Sequence, residues 1–439
     1  MIYIKNLNCK TNKLINKNKK NKIAVIGSGV SGLSTAWLLS KKNDVTLFEQ
    51  NDYFGGHANT VTINNGSINY DLDVGFIVHN NINYPNFVNL LNHFKIPTQK
   101  SNMSFSFSAG EGEYEYSSTL PFGPFIQPSN LLKKRFIKMI FDIPKFYSFA
   151  KKFDFKSNKE DINLINFLEL GGFSKDYCYD HLLPMASAIW SQPITKIMHF
   201  NAESFVDFYN NHGLLRFLDR PQWRVIKGGS KLYIKKILDE FCGKKILNSK
   251  ISDVFRKDNS VKIVLDNQNL DFEHVIFAIH PANILEILKD PSEDEIKILK
   301  KFEIEDNTCF IHSDLALMPK RKSAWSSWNY FSETNQDIKS KVFVTYWLNL
   351  LQNIKSNTDF FLSLNPTKLP ESKKIYKNFY YSHPVYNKET NQSQAQIEQI
   401  QGENNTWFAG AWNGFGFHED GLASGIKIAN KFDCFVPWK

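Results

Sequence analysis

The sequence predicts a two-domain protein in which an α/β domain, built on a parallel sheet, is combined with an α+β domain. An apolar strand-like segment runs directly into a glycine-rich turn at residues 27–32, and an apolar helix follows. Strand-like segments that lead into glycines recur near residues 228 and 410, whereas residues 96–220 show helical patterns rich in aromatic side chains. Because the sheet-forming segments are widely separated, the domains should be discontinuous in sequence.

The composition is that of a globular protein with a large core. Of the 439 residues, 14% are aromatic, which excludes an intrinsically disordered chain. No uninterrupted apolar run reaches about 18 residues, the length that a membrane-spanning helix requires. The histidines show no metal-ligand spacing and the cysteines form no C-x-x-C pair, so we expect no metal site and a reducing, cytoplasmic location. The cysteines are Cys9, Cys178, Cys242, Cys309 and Cys434.

The positive charge of the chain is concentrated at its N-terminus. The formal net charge is +9, yet seven of the 53 Lys and Arg residues lie within residues 1–22, which contain no Asp or Glu. The remainder is nearly neutral, so we expect no nucleic-acid partner. We interpret residues 1–21 as a basic flexible arm, with contact to an anionic membrane surface as the alternative. The arm lacks the apolar segment of a signal peptide, so export is not expected.

A strand–helix–strand unit is predicted at the start of the ordered chain. Residues 22–26 are typical of a buried parallel strand, residues 33–39 form an apolar helix, and the second strand, residues 44–49, ends on a carboxylate. The first turn reads Gly27-Ser28-Gly29-Val30-Ser31-Gly32, a G-x-G-x-x-G pattern. This order of elements is typical of Rossmann-type dinucleotide-binding domains.

Each glycine of this turn has a separate physical role. Gly27 allows the tight turn, Gly29 lets the backbone approach a pyrophosphate, and Gly32 allows the helix to pack closely on the sheet. The helix N-terminus offers unpaired N–H groups and a positive dipole end to the phosphates. Glu49 follows Gly27 by 22 residues, where a carboxylate can accept hydrogen bonds from ribose hydroxyls. The sequence therefore predicts a dinucleotide site.

The segment after Glu49 favours FAD over NAD. The paired glycines in Asn51-Asp52-Tyr53-Phe54-Gly55-Gly56-His57 let the chain run beside the pyrophosphate a second time, and residues 70–76 supply a further strand and turn. Here the chain resembles the flavin-containing amine oxidase superfamily, which includes monoamine oxidases, protoporphyrinogen oxidase and phytoene desaturase. Residues 407–425 resemble its C-terminal flavin motif. The resemblance covers nearly the whole ordered chain and implies an amine oxidase/glutathione-reductase-like FAD fold with FAD as cofactor.

The resemblance also implies which residues contact FAD. Ile251 would offer a backbone contact to adenine, and Gly421-Leu422 would open a helix toward the flavin pyrimidine. A helix N-terminus at that place would stabilise the negative charge of the reduced flavin. The predicted cofactor-binding residues are Gly27, Ser28, Gly29, Ser31, Gly32, Glu49, Gln50, Gly55, Gly56, His57, Gly75, Phe76, Ile251, Gly410, Asp420, Gly421 and Leu422.

The remaining sequence is predicted to form a substrate domain. The FAD-binding domain would comprise residues 22–95, 222–285 and 400–439, and the α+β substrate domain would comprise residues 96–221 and 286–399. Four aromatic residues are candidates for lining its pocket, although core positions are the more common use of such residues in a chain this aromatic. They are Trp190, Trp223, Trp328 and Tyr346.

A narrower resemblance is to a bacterial group of predicted NAD/FAD-binding proteins encoded beside cyclopropane-fatty-acid-synthase-like methyltransferases. The stretches that carry it are residues 55–60, 183–191, 211–215, 221–224, 325–330 and 416–421. Some members are linked to the modification of methylated fatty acyl chains of phospholipids, including the route to furan fatty acids. The resemblance therefore implies a lipid or fatty acyl substrate and a methyltransferase partner, and it says nothing about the oligomeric state.

Two features depart from true amine oxidases. Those enzymes usually carry a lysine that hydrogen-bonds flavin N5 through a water, but the comparable stretch here, residues 306–312, contains no Lys. The acidic residue that commonly follows the glycine of the last strand is also missing, because Gly410 is followed by Ala411-Trp412. Both features argue against amine oxidation.

Three histidines are candidates for acid–base chemistry, because an imidazole can change its charge near neutral pH. His212 lies in an Asn-His-Gly turn between apolar segments, and a purely structural role is its alternative. His57 and His418 flank the two predicted flavin-binding turns. The sequence predicts that both lie near the flavin ring and assigns neither a catalytic step.

Residues 131–151 are predicted to form an amphipathic helix that Pro144 interrupts. Such a helix could lie on an anionic bilayer at the mouth of an acyl tunnel, which would make the protein peripheral at the inner face of the membrane. A core helix with one solvated face is the alternative. The apolar positions are Phe136, Ile140, Ile143, Phe146, Tyr147 and Ala150, and the charged positions are Lys133, Lys134, Arg135, Lys138, Lys145, Lys151 and Lys152.

The expected function is FAD-dependent oxidation or desaturation of a modified fatty acyl chain, by hydride transfer from a C–H bond to flavin N5. One alternative is an amine oxidase or a carotenoid/porphyrin-type oxidase. A second is a non-redox enzyme that isomerises or hydrates a lipid with the help of FAD. A third is a catalytically silent flavin-binding partner of a methyltransferase.

Overall fold

The computed structural model describes residues 20–66, 68–157, 162–332 and 341–438. Apart from residues 20 and 21, the predicted basic arm lies outside the described residues. Within these ranges, no helix combines the length and the apolar character needed to cross a bilayer.

The described residues fold into strands and helices with the following bounds. The strands are β1 (Lys22–Ile26), β2 (Asp44–Phe48), β3 (Thr60–Asn65), β4 (Ile68–Asp73), β5 (His79–Asn80), β6 (Thr98–Lys100), β7 (Phe105–Ala109), β8 (Tyr114–Ser117), β9 (Trp223–Ile226), β10 (Lys244–Ile246), β11 (Ile251–Lys257), β12 (Ser260–Leu265), β13 (Gln268–Phe272), β14 (His274–Phe277), β15 (Ile304–His312), β16 (Trp328–Ser332), β17 (Phe343–Trp347), β18 (Phe361–Leu364), β19 (Ile375–Pro384) and β20 (Thr406–Phe408). The α-helices are α1 (Val30–Leu39), α2 (Pro85–His93), α3 (Lys134–Lys152), α4 (Leu164–Leu170), α5 (Lys175–Tyr177), α6 (Leu183–Trp190), α7 (Ile194–Ile197), α8 (Ala202–Asn211), α9 (Lys231–Glu240), α10 (Pro281–Ile287), α11 (Glu293–Leu299), α12 (Leu348–Leu351), α13 (Lys388–Ile400) and α14 (His418–Lys431).

A five-stranded sheet in the order β10-β2-β1-β14-β20 forms the centre of the first domain. All four neighbouring pairs are parallel, and Ile26 of β1 lies in register with Phe48 of β2. The strands come from the three predicted segments: β1 and β2 from 22–95, β10 and β14 from 222–285, and β20 from 400–439. Apolar clusters cover both faces of this sheet, which is why its strands read as continuous apolar runs.

Two helices that the sequence assigns to the substrate domain pack on this parallel sheet instead. α11 and α13 bury Ile298, Leu299, Ile397 and Ile400 in the same apolar cluster as β14. A sequence pattern shows that a helix has an apolar face, but it does not show which sheet will cover that face. The predicted limits of the substrate domain at 286–399 therefore include parts of the first domain.

The second domain is built on a seven-stranded mixed sheet in the order β19-β15-β18-β17-β16-β7-β8. β16 and β7 pair in parallel, and the other neighbouring strands pair antiparallel. Phe107 of β7, Phe136 of α3 and Phe205 of α8 share one large aromatic-rich cluster. The aromatic helical patterns of the sequence thus become the layer that packs on this sheet.

Helix α3 runs through Pro144 without a break, so the predicted interruption is wrong. Proline removes one backbone hydrogen bond from a helix. Residues on both sides of it are nevertheless anchored in the core of the second domain, and this packing outweighs the loss. Buried are Phe136, Met139, Phe146 and Ala150, and partly buried against the same cluster are Ile140, Ile143 and Tyr147. The predicted apolar stripe is therefore a core face and does not point toward solvent.

Candidate dinucleotide-binding site

The first glycine turn has the close packing that its sequence predicts. Gly27 has a φ of +97°, and a Cβ atom on it would lie 2.5 Å from the carbonyl oxygen of Ala278. A Cβ atom on Gly32 would lie 1.9 Å from the carbonyl oxygen of Gly27. A Cβ atom on Gly29, in contrast, would meet no atom within 4 Å. Helix α1 is thus pressed against the sheet, while the space beside Gly29, at its N-terminus, is open.

The second glycine turn lies directly beside the first. The Gly55 amide donates to the carbonyl oxygen of Ser28 over 3.1 Å, and a Cβ atom on Gly56 would lie 3.0 Å from Cα of Gly29. Gly55 and Gly56 have φ values of +123° and +57°, a conformation that side chains rarely adopt. Two backbone segments without side chains therefore border the same open space.

Glu49 connects these two turns. One carboxylate oxygen accepts from the Ser28 amide (3.0 Å) and hydroxyl (2.6 Å), and the other accepts from the amide (2.9 Å) and the side chain (2.8 Å) of Asn51. The carboxylate of Glu49 therefore stabilises the first glycine turn, and it is also a candidate to accept hydrogen bonds from ribose hydroxyls. Asn51 was not among the predicted site residues. Its position two residues after Glu49 could have indicated that it bonds to this carboxylate.

The predicted adenine contact lies next to Glu49. The Ser249 amide and hydroxyl both donate to the carbonyl oxygen of Glu49 over 2.9 Å, and Ile251 follows as the first residue of β11. The side chain of Ile251 is buried, whereas that of Gln50 is exposed. Residues 249–251 thus run beside the end of β2, where the adenosine half of a dinucleotide would lie.

The C-terminal turn is shaped by Asp420. Its carboxylate accepts from the amides of Phe415 (3.0 Å) and Phe417 (2.9 Å), and burial raises its pKa to about 6 even though these amides favour the charged form. Asp420 therefore stabilises the turn that precedes α14. A Cβ atom on Gly421 would lie 2.9 Å from the hydroxyl of Ser31, so the first turns of α14 and α1 meet.

Helix α14 begins at His418, three residues before the predicted start. The amide of Gly421 already donates to the carbonyl oxygen of Phe417 over 3.1 Å, and Leu422 is fully buried in the first-domain core. The predicted opening of this helix at Gly421-Leu422 is therefore wrong, because the helix begins at His418. By helix geometry, the amides without an intrahelical acceptor belong to residues 418–420.

Gly75 and Phe76 pack on the second glycine turn, and Gly410 packs on α14. A Cβ atom on Gly75 would lie 2.2 Å from the carbonyl oxygen of His57, and the Phe76 amide donates to that oxygen over 2.7 Å. The Gly410 amide donates to the hydroxyl of Ser424 in α14 over 2.9 Å. We call residues 27–32, 55–57, 75–76 and 418–421 the nucleotide cradle.

His57 lies at the junction of the two domains. Its ring stacks on Tyr381 of β19 with a centroid distance of 4.7 Å, and the His383 ring is 5.4 Å away. The side chain is exposed, yet the surrounding protein desolvates it and lowers its pKa to about 4. A side chain that is both exposed and desolvated lines a hollow and does not lie on the outer surface. His57 is therefore neutral near pH 7 and borders the space beside the cradle.

The two rings that contact His57 are held by hydrogen bonds from asparagine side chains. Asn307 of β15 donates to Nδ1 of His383 over 2.8 Å, and Asn59 donates to the hydroxyl of Tyr381 over 3.1 Å. Burial, followed by repulsion from His57, lowers the pKa of His383 to about 3. β15 and β19 pair across about 70 residues of chain, and no local motif marks that pairing.

His418 is a packed residue of the cradle. Its ring stacks on Phe76 at 3.7 Å with an interplanar angle of 8°, and Nε2 lies 2.7 Å from the hydroxyl of Tyr233. Burial, with nearby His57 and His79, holds the pKa of His418 well below its usual range. These contacts fix the ring in place and favour a structural role for it.

His212 lies at the C-terminus of α8, in an aromatic layer that faces the start of α14. Its ring stacks on Phe208 at 3.9 Å, and its Nδ1 lies 2.9 Å from the carbonyl oxygen of the same residue. Phe417 lies 5.0 Å from Phe208 and 6.3 Å from Trp190. Burial lowers the pKa of His212 as well. We call Trp190, Phe208, His212, Phe415 and Phe417 the aromatic wall.

The other predicted substrate residues lie in two places. Trp223 is 6.1 Å from His212 and therefore adjoins the aromatic wall. Trp328 and Tyr346 are cross-strand neighbours with rings 4.9 Å apart, and the Tyr346 hydroxyl hydrogen-bonds Ser191. Trp190 is 5% exposed and Tyr346 8%, so both are largely core residues. Phe415 and Phe417, which the sequence did not indicate as substrate residues, are less buried than these two.

Comparison with known proteins agrees with this geometry. Residues 25–94 match the family described as NAD(P)-binding Rossmann-like domain. No curated protein matches the chain. Among solved structures, the chain is similar to a CLA-producing fatty acid isomerase from P. acnes, with 15% identity, a TM-score of 0.65, and coverage of 95% of this chain and 100% of that chain.

Two further structures have a similar fold. A putative protoporphyrinogen oxidase from Exiguobacterium sp. 255-15 shares 12% identity at a TM-score of 0.67, over 94% of this chain and 99% of that one. Cyclohexylamine oxidase from Brevibacterium oxydans shares 12% identity at a TM-score of 0.62, over 94% of this chain and 100% of that one. At identities this low, the structural similarity establishes a common fold and nothing beyond it. The predicted fold class and the resemblance to flavin-containing amine oxidases are confirmed at that level: residues 25–94 form a Rossmann-like domain, and the chain shares its fold with these oxidase and isomerase structures.

Proposed function

We propose that this protein is an FAD-dependent oxidoreductase that acts on a fatty acyl chain, and that the aromatic wall holds the chain beside the cofactor. The observation that carries the proposal is the position of this wall, since Phe417 at the start of α14 belongs both to the wall and to the turn before the cradle helix. A methylated or cyclopropane-bearing acyl chain is the preferred substrate.

The cradle fits a dinucleotide as large as FAD. Two glycine turns border one open space, and the first turn of α14 meets that of α1, so backbone amides from two helices converge there. Glu49 and residues 249–251 would contact the adenosine half, and residues 418–420 would face the flavin half. FAD, when bound, supplies an acceptor for a hydride from a C–H bond. The amides of residues 418–420 would stabilise negative charge at that end of the site.

The wall suits an apolar substrate better than an amine. Phe415 and Phe417 are the partly exposed rings of the wall, Phe208 and Trp190 pack behind them, and burial lowers the pKa of His212 and favours its neutral form. The nearby carboxylates are already engaged, since Glu419 accepts from the amides of Asn86 and Phe87 (2.9 Å each). A cationic amine would find no uncommitted carboxylate among these residues, whereas an acyl chain needs none.

The absence of a lysine on β15 supports the same preference. Its residue 307 is Asn, and that side chain is held between His383 and Asn365, 2.6 Å from the latter. Proton transfer by a β15 lysine is therefore not part of the proposed reaction. In the proposed reaction, the protein positions the substrate, surrounds it with apolar side chains and contributes the dipole of α14.

A non-redox isomerisation of an acyl chain is the second candidate. Its support is the similarity of the fold to a fatty acid isomerase over 95% of this chain. Such a reaction would return the hydride to another carbon of the same chain, so the substrate would undergo no net oxidation. The same apolar wall would serve both reactions.

Anaerobic mixing of the FAD-loaded protein with defined substrates tests the proposal. The probes are a cyclopropane-containing phospholipid, a methyl-branched phospholipid, free linoleate and putrescine, and the measurements are the visible flavin spectrum and mass spectrometry of the lipid. Lasting loss of the oxidised flavin band with a phospholipid, together with a product two hydrogens lighter, supports acyl oxidation.

Each other outcome assigns a different reaction. A rearranged lipid of unchanged mass, with the flavin still oxidised at the end, would replace oxidation by isomerisation. Flavin reduction by putrescine alone would overturn the acyl substrate in favour of an amine. A silent spectrum and unchanged lipids with every probe would indicate a non-catalytic flavin-binding protein and overturn the proposal.

A further inference from the structure

An exposed apolar patch lies at the outer edge of the second domain. In the loop before α3, Leu120, Phe122 and Leu132 are 58%, 79% and 90% exposed. On α3 itself, Ile137 and Phe141 are 38% and 72% exposed. We call these five residues the apolar patch. Large side chains this exposed are common singly, but a cluster of them on one surface marks an interaction site.

The loop before α3 contacts the helix, because Phe125 lies 6.2 Å from Phe136 of α3. Leu132 lies two residues before the start of α3. Lys133, between them, is anchored by its Nζ, which donates to the carbonyl oxygen of Glu113 before β8 over 2.6 Å. Ile137 and Phe141 are four residues apart and therefore lie on one face of the helix. That face is not the one that packs on the core, because the buried residues of α3 lie on the opposite side.

Lysines border the patch. Lys134, Lys138 and Lys145 follow one another along α3 at helical spacing, on the strip next to Ile137 and Phe141. The side chains of Lys134 and Lys138 are exposed to solvent. A row of cations beside exposed aliphatic and aromatic side chains is the pattern of a helix that lies in a lipid interface.

Among the described residues, few acidic side chains face this strip, and each has a hydrogen-bond or ion-pair partner nearby. Asp142 accepts from the amide of Ser174 over 2.8 Å and lies 3.9 Å from Nζ of Lys145, and Asp176 lies 3.8 Å from Nζ of Lys138. Cations therefore outnumber carboxylates around the patch, and the surface complements a negatively charged partner. The surface of a neutral protein partner would not complement the positive charge of these lysines.

We propose that the apolar patch inserts into the surface of an anionic lipid bilayer, with α3 lying parallel to the membrane plane. Phe122, Leu132 and Phe141 would enter the acyl boundary, and Lys134 and Lys138 would meet lipid phosphates. The inference does not depend on the chemistry of the cofactor site. It differs from the membrane contact expected from the sequence, because the apolar stripe of that prediction packs on the core.

Vesicle flotation of the full-length, FAD-loaded protein tests this inference. The probes are vesicles of phosphatidylcholine alone and of phosphatidylcholine mixed with phosphatidylglycerol. The patch variant is Phe122→Ser with Leu132→Ser, and the charge variant is Lys134→Gln with Lys138→Gln. The matched control is Leu369→Ser with Phe435→Ser, which removes two residues of 63% and 65% exposure elsewhere on the molecule.

We expect the wild type to bind the anionic vesicles and to lose binding at high salt, because salt screens the lysine contacts. The partition of the patch variant should fall roughly tenfold for each side chain removed, since each would lose its burial in the acyl boundary. The charge variant should lose its preference for phosphatidylglycerol, and the control should bind like the wild type. Circular dichroism and FAD content should be unchanged in all variants.

Three results would overturn the inference. The first is absence of wild-type binding to anionic vesicles at low salt. The second is equal binding by the patch variant and the control. The third is a wild-type dimer, measured by light scattering, that the patch variant converts to a monomer, because it would assign the surface to a second copy of the chain.

Discussion

The nucleotide cradle and the aromatic wall meet at the start of α14, but they are built from different parts of the chain's chemistry. The cradle consists of backbone, and its decisive residues are glycines whose Cβ atoms would collide with neighbouring segments. The wall consists of side chains from α6, α8 and the turn before α14, brought together only by packing. Binding of a phosphate group needs close backbone approach and helix ends, whereas contact with an apolar chain needs only shape and ring surface. A substitution at a closely packed glycine of the cradle should therefore abolish function, whereas a substitution in the wall should reduce activity by degrees.

The largest effect is expected at Gly32. The Gly32→Ala variant places a Cβ atom 1.9 Å from the carbonyl oxygen of Gly27, so α1 must move away from the sheet. We expect a loss of about 3 kcal/mol or more in the free energy of unfolding and little bound FAD. Urea unfolding and FAD content measure both effects.

Gly66→Ala is the control for this variant. Gly66 has a φ of +70° and its Cβ atom would meet no atom within 4 Å, so only backbone strain of about 1 kcal/mol is expected. Equal losses in the two variants would show that the close approach at Gly32 does not matter.

A pH-dependent effect is expected at Asp420. Burial raises its pKa in the folded protein to about 6 from its ordinary value of 3.8. Since the folded state holds this proton more tightly than the unfolded state, the group opposes folding progressively as the pH rises from about 4 to about 6, by at most about 3 kcal/mol. The Asp420→Asn variant should therefore have a stability profile that rises relative to the wild type over this interval. Parallel unfolding profiles of the two proteins between pH 4 and 7 would contradict the raised pKa.

A graded effect is expected at the wall. Phe417→Ala removes a ring that stacks on Phe208 at 5.0 Å and adjoins Trp190. We expect the KM for the acyl substrate to rise about tenfold, by loss of apolar contact, while FAD content stays normal. Phe155→Ala, a half-buried position among the helices of the second domain, is the control. A loss of bound FAD in Phe417→Ala would mean that the wall and the cradle are not separable.

The smallest effect is expected at His57. Its pKa of about 4 keeps the ring neutral across the working range, and its visible contacts are stacking on Tyr381 and proximity to His383. His57→Gln should lower kcat less than tenfold and leave the pH profile of kcat/KM unchanged, because the residue positions the loop. A displaced acid limb in that profile would assign proton transfer to His57.

The parts of the site that could be predicted from sequence are those carried by short-range backbone geometry. The turn at residues 27–32 and the pair Gly55-Gly56 were placed correctly because a glycine with a required conformation or close contact leaves a mark at its own position. The start of α14 was misplaced, since its cap is made by Asp420 bonding back to residues 415 and 417. That bond could be recognised only once the turn was folded.

The parts that could not be predicted depend on which distant segments become neighbours. β15 and β19 bring Asn307 and His383 to His57 from more than 240 residues away, and α11 and α13 join the first domain although they lie within the second in sequence. Helix α3 is a further example. Its apolar stripe can be recognised in the sequence, but only the packing shows that this stripe faces the core and that Phe141 faces outward.

The sequence by itself determined the fold class and the nucleotide cradle, because periodicity and glycines are local. Tertiary structure decided the wall, the domain limits and the exposed patch, because burial is a property of what packs against a side chain and not of the side chain itself.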